Sequence, residues 1–304
     1  MKEFDVVLVT QKEYINPVNR DWYHLQILEE DDLVLAELAA LGLKARRVAW
    51  CDKTFDWNST KTAVIRATWD YFHRIDEFRA WLKQAQESTT VFNRSHILWW
   101  NLDKVYLKEL GEKGIHIPPT VFEQKGSTTP VSTIMKANHW QEAVIKPNIG
   151  GGGRHTHKVN ADNLQEIEPL FAELLSQEDM MVQEFQQAVV DEGEVSIMMF
   201  GSTYSHAILK RAKKGDFRVQ DDFGGSVSVY HPSLEEKQFA LDVIQSMDEP
   251  PLYARVDYFK DNNGKLALSE LELIEPELWF REHREASAIF ARELFRRLSN
   301  LQVQ

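Results

Sequence analysis

From Leu252 to Leu273 the sequence reads as two strands joined by a turn: Leu252-Tyr-Ala-Arg-Val-Asp-Tyr-Phe-Lys260, Asp261-Asn-Asn-Gly264, Lys265-Leu-Ala-Leu-Ser-Glu-Leu-Glu-Leu273. Asn-Gly is a hairpin signal, because both residues tolerate the positive φ of a tight connection. With Asp261 paired to Gly264, Asp257 is expected opposite Leu268 and Arg255 opposite Glu270. The period of two then puts Arg255, Asp257, Glu270 and Glu272 on one face. Val256, Tyr258, Leu271 and Leu273 make the other face apolar, so the acidic face meets either solvent or a site. Close carboxylates repel unless a cation or proton neutralises them, and three hard oxygen donors suit one or two Mg²⁺ ions. A one-residue slip in the turn would separate Asp257 from the two glutamates.

A second feature is Val144-Ile-Lys146-Pro-Asn-Ile-Gly150-Gly-Gly-Gly153-Arg154, a lysine at the end of a strand followed by four consecutive glycines. Without Cβ atoms, backbone N–H groups there can close around phosphate oxygens while Lys146 supplies a point charge. A surface hairpin fits the same residues, and no Gly-Lys-Ser/Thr follows to make it a P-loop. Met181-Val-Gln-Glu184-Phe185 reads as a strand whose end can offer backbone groups to an adenine edge. Lys210-Arg211-Ala-Lys-Lys-Gly-Asp216-Phe-Arg218 is a basic cluster that fits either a phosphate site or a solvated face.

The opening run Phe4–Thr10 reads as a buried strand, followed by helical periodicity over Glu29–Leu43 and further strands at Lys44–Trp50 and Thr62–Arg66. That order predicts a parallel α/β layer. Helices are expected at Asp76–Gln86 and Asn101–Gly114. From Ala143 the pattern turns to strands and hairpins, an α+β region. The expected division is 1–98, 99–183 and 184–304.

At 304 residues and 43% hydrophobic composition the chain can bury a sizeable core. Its net charge of -12 argues against nucleic acid or an anionic membrane as partner. Cys51 is the only cysteine, so no disulfide framework or cysteine metal site is expected. No stretch approaches the roughly 20 apolar residues of a membrane span, and no signal peptide is read at the start. The cytoplasm is the expected location.

In this order, a lysine opening a helix, Ile-Lys-Pro with glycines, Gln-Glu-Phe, Gly-Glu, Lys-Gly-Asp-Phe-Arg before Gly-Gly, and the carboxylate hairpin, the motifs resemble the ATP-grasp superfamily. Ribosomal-protein glutamate ligases and prokaryotic glutathione synthetases are the nearest types, matching over Leu102 to Pro276. The resemblance implies an ATP-grasp fold preceded by a parallel-sheet domain, and an ATP- and Mg²⁺-dependent, ADP-forming carboxylate–amine ligase. In such an enzyme a substrate carboxylate attacks the γ-phosphorus and an amine captures the acyl phosphate.

By resemblance Lys104 and Lys146 contact ATP phosphates, with Gly150, Gly151, Gly152 and Gly153 as a lid, and Glu184 and Phe185 hold adenine by backbone groups. Glu194 binds ribose, Lys210 belongs to the nucleotide site, and Arg218 with Gln220 reaches the phosphates. Lys146, Arg211 and Arg218 are the candidate catalytic cations. Asp257, Glu270 and Glu272 are the implied ligands of one or two Mg²⁺, with Mn²⁺ an allowed substitute. The usual ending Glu-x-Asn-x-x-Pro is replaced here by Glu270-Leu-Glu272-Leu-Ile-Glu275-Pro276.

That ending, with Arg66-Ala-Thr-Trp69-Asp70-Tyr71, is also similar to D-cycloserine synthetase-type cyclo-ligases. Arg66, Trp69, Asp70 and Arg74 stand where the C-terminal edge of the parallel sheet can contribute substrate contacts, and an aromatic packed under a turn fits the same residues. The expected partners are a small carboxylate and an amine, and analogy allows a homodimer. A small-molecule kinase of the same fold and a non-catalytic nucleotide-binding scaffold are the alternative readings.

Overall fold

The computed structural model describes residues 2–18, 21–219 and 224–301. β1 (Phe4–Thr10), β2 (Ala45–Ala49), β3 (Thr60–Ile65) and β4 (Thr90–Phe92) form a parallel sheet in the order β2-β1-β3-β4. Val6 to Val9 of the central strand β1 are all fully buried, as a strand covered on both faces requires. Between these strands run α1 (Trp22–Ala40) and α2 (Ile75–Ser88). α1 begins well before the expected Glu29, because Asp21 caps it by accepting the His24 N–H at 3.1 Å.

Instead of one helix over Asn101–Gly114, the chain forms α3 (Ser95–Asn101) and α4 (Tyr106–Glu112). Between them Asp103 turns the chain by accepting the Val105 N–H at 2.9 Å. The Lys104 N–H leaves the helix to bond Asn148 O at 3.1 Å. That break places the Lys104 side chain beside the glycine loop.

A second sheet is antiparallel in the order β5-β8-β6-β7, from β5 (Thr120–Glu123), β6 (Ala143–Pro147), β7 (His157–Val159) and β8 (Met180–Glu184). α5 (Val131–Ala137) and α6 (Leu164–Gln177) pack on it through Ile134, Phe171 and Leu174. The short α7 (Gln187–Asp191) follows β8.

The third sheet, also antiparallel, has the order β11-β10-β9-β12-β13, from β9 (Glu194–Phe200), β10 (Thr203–Arg211), β11 (Ser226–Tyr230), β12 (Tyr253–Lys260) and β13 (Leu266–Glu272). α8 (Leu234–Gln245), capped by the reciprocal Ser233–Glu236 box, shares a core on it with α3 and α4. α9 (Ala286–Leu301) instead joins α1 and the N-terminal strands in one core, through Phe290, Leu294 and Leu298.

The β12–β13 hairpin corrects the expected register twice. The turn is one residue longer than Asn-Gly pairing implies, with Lys260 opposite Leu266 and Tyr258 opposite Leu268. Continued without interruption, that register would turn Glu270 and Glu272 away from Asp257. A bulge at Ser269 inserts one further residue, so that Asp257 faces Glu270 and Arg255 faces Glu272. The shared face survives because two one-residue shifts cancel in side-chain parity. Val256, Tyr258, Leu271 and Leu273 lie in the core on the other face.

Candidate active site

The second and third sheets face each other across a cleft of about 610 Å³, whose far wall is the C-terminal edge of the N-terminal sheet. It is lined by Lys104, Lys146, Gly150 to Gly153, Glu184, Phe185, Glu194, Lys210, Arg218, Asp257, Glu270, Glu272, Trp69 and Asp70. These are most of the residues singled out by sequence, drawn from β6, β8, β9, β10, β12, β13 and the loops between them.

Cations and carboxylates interleave at its floor. The Lys210 ammonium, 3% exposed, donates to Glu194 at 2.6 Å and to Asp257 at 3.1 Å. Burial disfavours its charge, but the two carboxylates outweigh burial and hold its pKa above the ordinary value. The Arg255 guanidinium bonds Asp257 at 2.9 Å and Glu272. Ser196 donates to Asp257 at 2.6 Å. Burial favours the protonated acid at Asp257, yet Arg255 and Lys210 keep this carboxyl below the usual range.

Lys104 bonds Glu270 at 3.0 Å and the Gly150 carbonyl. Lys146 makes no ion pair among the described residues, and burial lowers its pKa despite the pull of Glu270. It is the lysine free to meet an anion entering the cleft.

Among the described residues no three acidic or histidine side chains are already gathered as a metal cage. Arg255 stands between Asp257 and Glu272 and takes the place a cation would occupy. The donor set nonetheless fits a hard divalent ion. Burial raises Glu272, and Glu270 and Asp257 add to the rise against the pull of Arg255. Burial and then Glu272 push Glu275 up to about 8. Glu272 and Glu275 thus favour the protonated form, and further positive charge beside them, such as a divalent ion would supply, would relieve both.

The nucleotide end differs in detail from expectation. The Glu184 N–H already bonds Pro119 O at 2.9 Å and the Phe185 N–H bonds Glu142 O at 3.1 Å, so neither amide is open to adenine. Their carbonyl oxygens also accept already, from Gln186 Nε2 at 3.2 Å and Asn262 Nδ2 at 3.0 Å, and what remains is ring surface: Phe185 meets Phe217 edge-on at 6.1 Å, and Lys158 lies over the Phe185 ring at 3.6 Å. Glu194 spends one oxygen on Lys210 and accepts the Ser269 hydroxyl at 2.7 Å on the other. Gly152 and Gly153 have φ of 56° and 68°, which glycine adopts without the steric penalty of a side chain.

Three expected side chains lie elsewhere. Arg211 is exposed at the end of β10, since alternation turns it outward once Lys210 faces the cleft. Arg66 is 2% exposed and tied to Glu30 and Asp31 in the interior. Arg74 lies over the Trp50 ring at 4.5 Å and pairs with Asp70 and Glu77. Gln220 falls outside the described residues.

Sequence reasoning missed other residues that line the cleft: Gln11, Glu13, Tyr14, Tyr23 and Trp279, and Phe72 against the glycine loop. Tyr14 and Tyr23 each meet Trp69 at 6.1 Å. Two polar atoms of this lining are buried without a partner, the Gln11 carbonyl Oε1 and the Trp279 indole Nε1. The Gln11 amide is oriented by its own Nε2, which donates to Glu13 at 3.2 Å and so leaves the oxygen as the open group.

A model of the RimK-like ATP-grasp domain matches residues 103–273, and one of the D-cycloserine synthetase DcsG N-terminal domain matches residues 6–93. The chain belongs to the RimK-like ATP-grasp family. It is 27% identical over 285 residues to the cycloserine biosynthesis protein DcsG of Streptomyces lavendulae, covering 87% of this chain and 92% of that protein. The crystal structure of D-cycloserine synthetase DcsG superposes with a TM-score of 0.86 at 25% identity, covering 96% of this chain and 99% of that one. The D-alanine–D-alanine ligase of Bacillus anthracis in complex with ATP shares the fold at a TM-score of 0.67 and 13% identity, over 98% of both chains.

This ATP-grasp ligase is an ADP-forming enzyme that joins a carboxylate to an amine through an acyl phosphate. Enzymes of the family use ATP and Mg²⁺. The kinase alternative draws no support from these matches. Among the described residues no helix is long and apolar enough to cross a membrane.

Proposed function

We propose that this ligase activates a small, amino-acid-like carboxylate held against the Gln11–Trp279 wall. The observation that carries this reading is the pair of buried, unpartnered atoms on one wall, an acceptor at Gln11 Oε1 and a donor at Trp279 Nε1. Leaving such atoms without partners is costly, and both are enclosed by the wall itself, so an occupant carrying an N–H group and an oxygen would gain by drawing them toward the cleft. Aromatic faces at Tyr14, Tyr23 and Trp69 with carboxylates at Glu13, Asp70 and Glu277 suit a cationic amine. Likeness to DcsG over both the N-terminal and ATP-grasp parts supports a substrate of that size and closure of a ring within one molecule.

Asp257, Glu270 and Glu272 would hold one or two Mg²⁺, or Mn²⁺ in their place, which supply charge neutralisation at the transferring phosphoryl group. The chain's own groups do the rest. Lys146 and Lys104 position the phosphates, Arg218 faces the developing negative charge, and the glycines close over the site to keep water from the acyl phosphate. Glu184, Phe185, Phe217 and Glu194 seat the nucleoside.

The test is ADP release by wild type and by the Glu270→Ala/Glu272→Ala double variant, with ATP and Mg²⁺, across pools of small amino acids, their derivatives and short peptides, with and without added amines. Stimulation by a small amino-acid derivative with an amide product from wild type alone is expected, and turnover without added amine marks ring closure. Stimulation only by peptides would overturn the proposal.

A further inference from the structure

The segment that follows β13, residues 273–280, is a strap that carries Glu275 to the carboxylate cluster beside Glu272 and Glu277 and Trp279 to the wall opposite. Its backbone is held at almost every step. Asn93 donates to Leu273 O at 2.7 Å, the Tyr253 hydroxyl to Ile274 O at 2.8 Å, and the Trp69 indole to Glu275 O at 2.8 Å. His206 Nε2 meets Leu278 O at 2.8 Å. Glu30, in the middle of α1, accepts the Leu278 N–H at 2.8 Å on one oxygen and the Phe280 N–H at 3.2 Å on the other.

The residue between those two amides is Trp279, whose φ of 56° lies in the left-handed region. A residue with a Cβ resists that conformation and keeps it only where its surroundings over-determine it. Here the restraint is visible, since one carboxylate grips the amide on each side. Glu30 is itself 7% exposed, and its charge is met by Arg66, which also reaches Asp31 at 3.3 Å and lies against the rings of Phe280 and Phe290. Arg47 meets the second oxygen of Asp31 at 3.0 Å. None of Glu30, Asp31 and Arg66 lines the main cleft.

We infer that Glu30, charge-matched by Arg66, is a positioning residue of the ligase: it holds Trp279 in its left-handed turn and so fixes the wall and the indole N–H that recognise the organic substrate. The inference rests on reading that wall as the substrate side of the cleft. It separates the substrate side from the nucleotide side, because Glu30 grips only the far end of the strap around Trp279, while Lys146, Lys210 and the glycine loop serve the second. The buried arginine that the sequence offered as a substrate contact therefore acts two steps removed from the substrate.

Glu30→Gln tests it, because the shape is kept while one oxygen becomes an NH₂ that must face an amide N–H. The protein is labelled with 5-fluorotryptophan, and the Trp279 resonance among its nine tryptophans is identified by its loss in Trp279→Phe. In Glu30→Gln the Trp279 signal is expected to shift or broaden while that of Trp140, buried on the second sheet, stays in place. Affinity for Mg²⁺ with a non-hydrolysable ATP analogue is expected to stay within about twofold. KM for the amino-acid derivative found in the screen is expected to rise about tenfold with a smaller change in kcat.

An unmoved Trp279 resonance, or equal losses on the nucleotide and substrate sides, overturns the inference. A moved resonance when the screen finds no small substrate supports the positioning role and counts against the substrate reading. If loss of the Trp140 signal shows that Glu30→Gln does not fold, Arg66→Lys, which keeps the charge but not the two-pronged contact, takes its place with the same two outcomes.

Discussion

Lys210 and Arg211 are adjacent basic residues with opposite surroundings, one 3% exposed between two carboxylates and the other exposed. A strand separates them by its pleat alone, so only one can serve the cleft. Arg218, in the loop beyond, does line the cleft, with Asp216 at 2.8 Å shaping its approach. Arg211→Ala is therefore expected to leave ADP formation within about twofold of wild type. Arg218→Ala is expected to lower kcat by about 100-fold, the usual cost of removing one preorganised charge-stabilising group. Steady-state kinetics at saturating ATP check both, and equal effects would return Arg211 to the catalytic group. Lys104, Lys146 and the three acids come together at the cleft, as the motifs they sit in lead one to expect. Arg66 and Arg74 turn away from it, and an arginine near a strand edge looks the same in sequence whether it meets a substrate, Glu30 or a tryptophan ring.

The strands show the same division among elements. β9, β10, β12 and β13 were legible from their apolar runs or alternation, whereas β4 (three residues), β5 (four residues), β7 (three residues) and β11 were not, being too short or too polar to carry a period. Nor could alternation reveal the bulge at Ser269, since a bulge adds a residue without changing its neighbours' polarity. Where β9 begins, the constraint is backbone rather than side chain. Gly193 has φ of 98°, and a Cβ there would lie 2.4 Å from the Lys210 carbonyl oxygen. Neither the dihedral nor the space admits another residue. Gly193→Ala is expected to push β9 from β10 beside the Lys210–Glu194 pair, destabilise the protein by about 1–3 kcal/mol, and weaken nucleotide binding in the same variant. Thermal melts with and without MgATP measure both effects, and a wild-type melt would show that the turn relaxes freely.

At the scale of the whole molecule, the N-terminal sheet and the C-terminal end of the chain share one core: Val6, Leu8, Val34 and Phe92 pack with Phe200, Phe280, Phe290 and Leu294. Sequence order hid this, because α9 begins only at Ala286 whereas the strands it covers end by Phe92. His206 sits at that junction, 5% exposed, stacked on His283 at 5.1 Å and bonded to Leu278 O and Ser205. Burial, helped by His283 and opposed by the Leu278 carbonyl, lowers its pKa to about 4. Between that value and the ordinary imidazole pKa near 6.5 the unfolded chain binds a proton that the folded chain refuses, so stability rises with pH there. The contribution is complete above about pH 6.5 and is lost as the pH falls toward 4, by up to about 3 kcal/mol. The loss enters at the joint between the N-terminal sheet, the strap and α9, so the wall proposed to hold the substrate is expected to fail with it. Denaturant unfolding of wild type and His206→Gln between pH 4 and 7 checks this. Gln keeps the polar contact without the titration, so its stability should fall less steeply over that range, and parallel curves would place the acid sensitivity elsewhere.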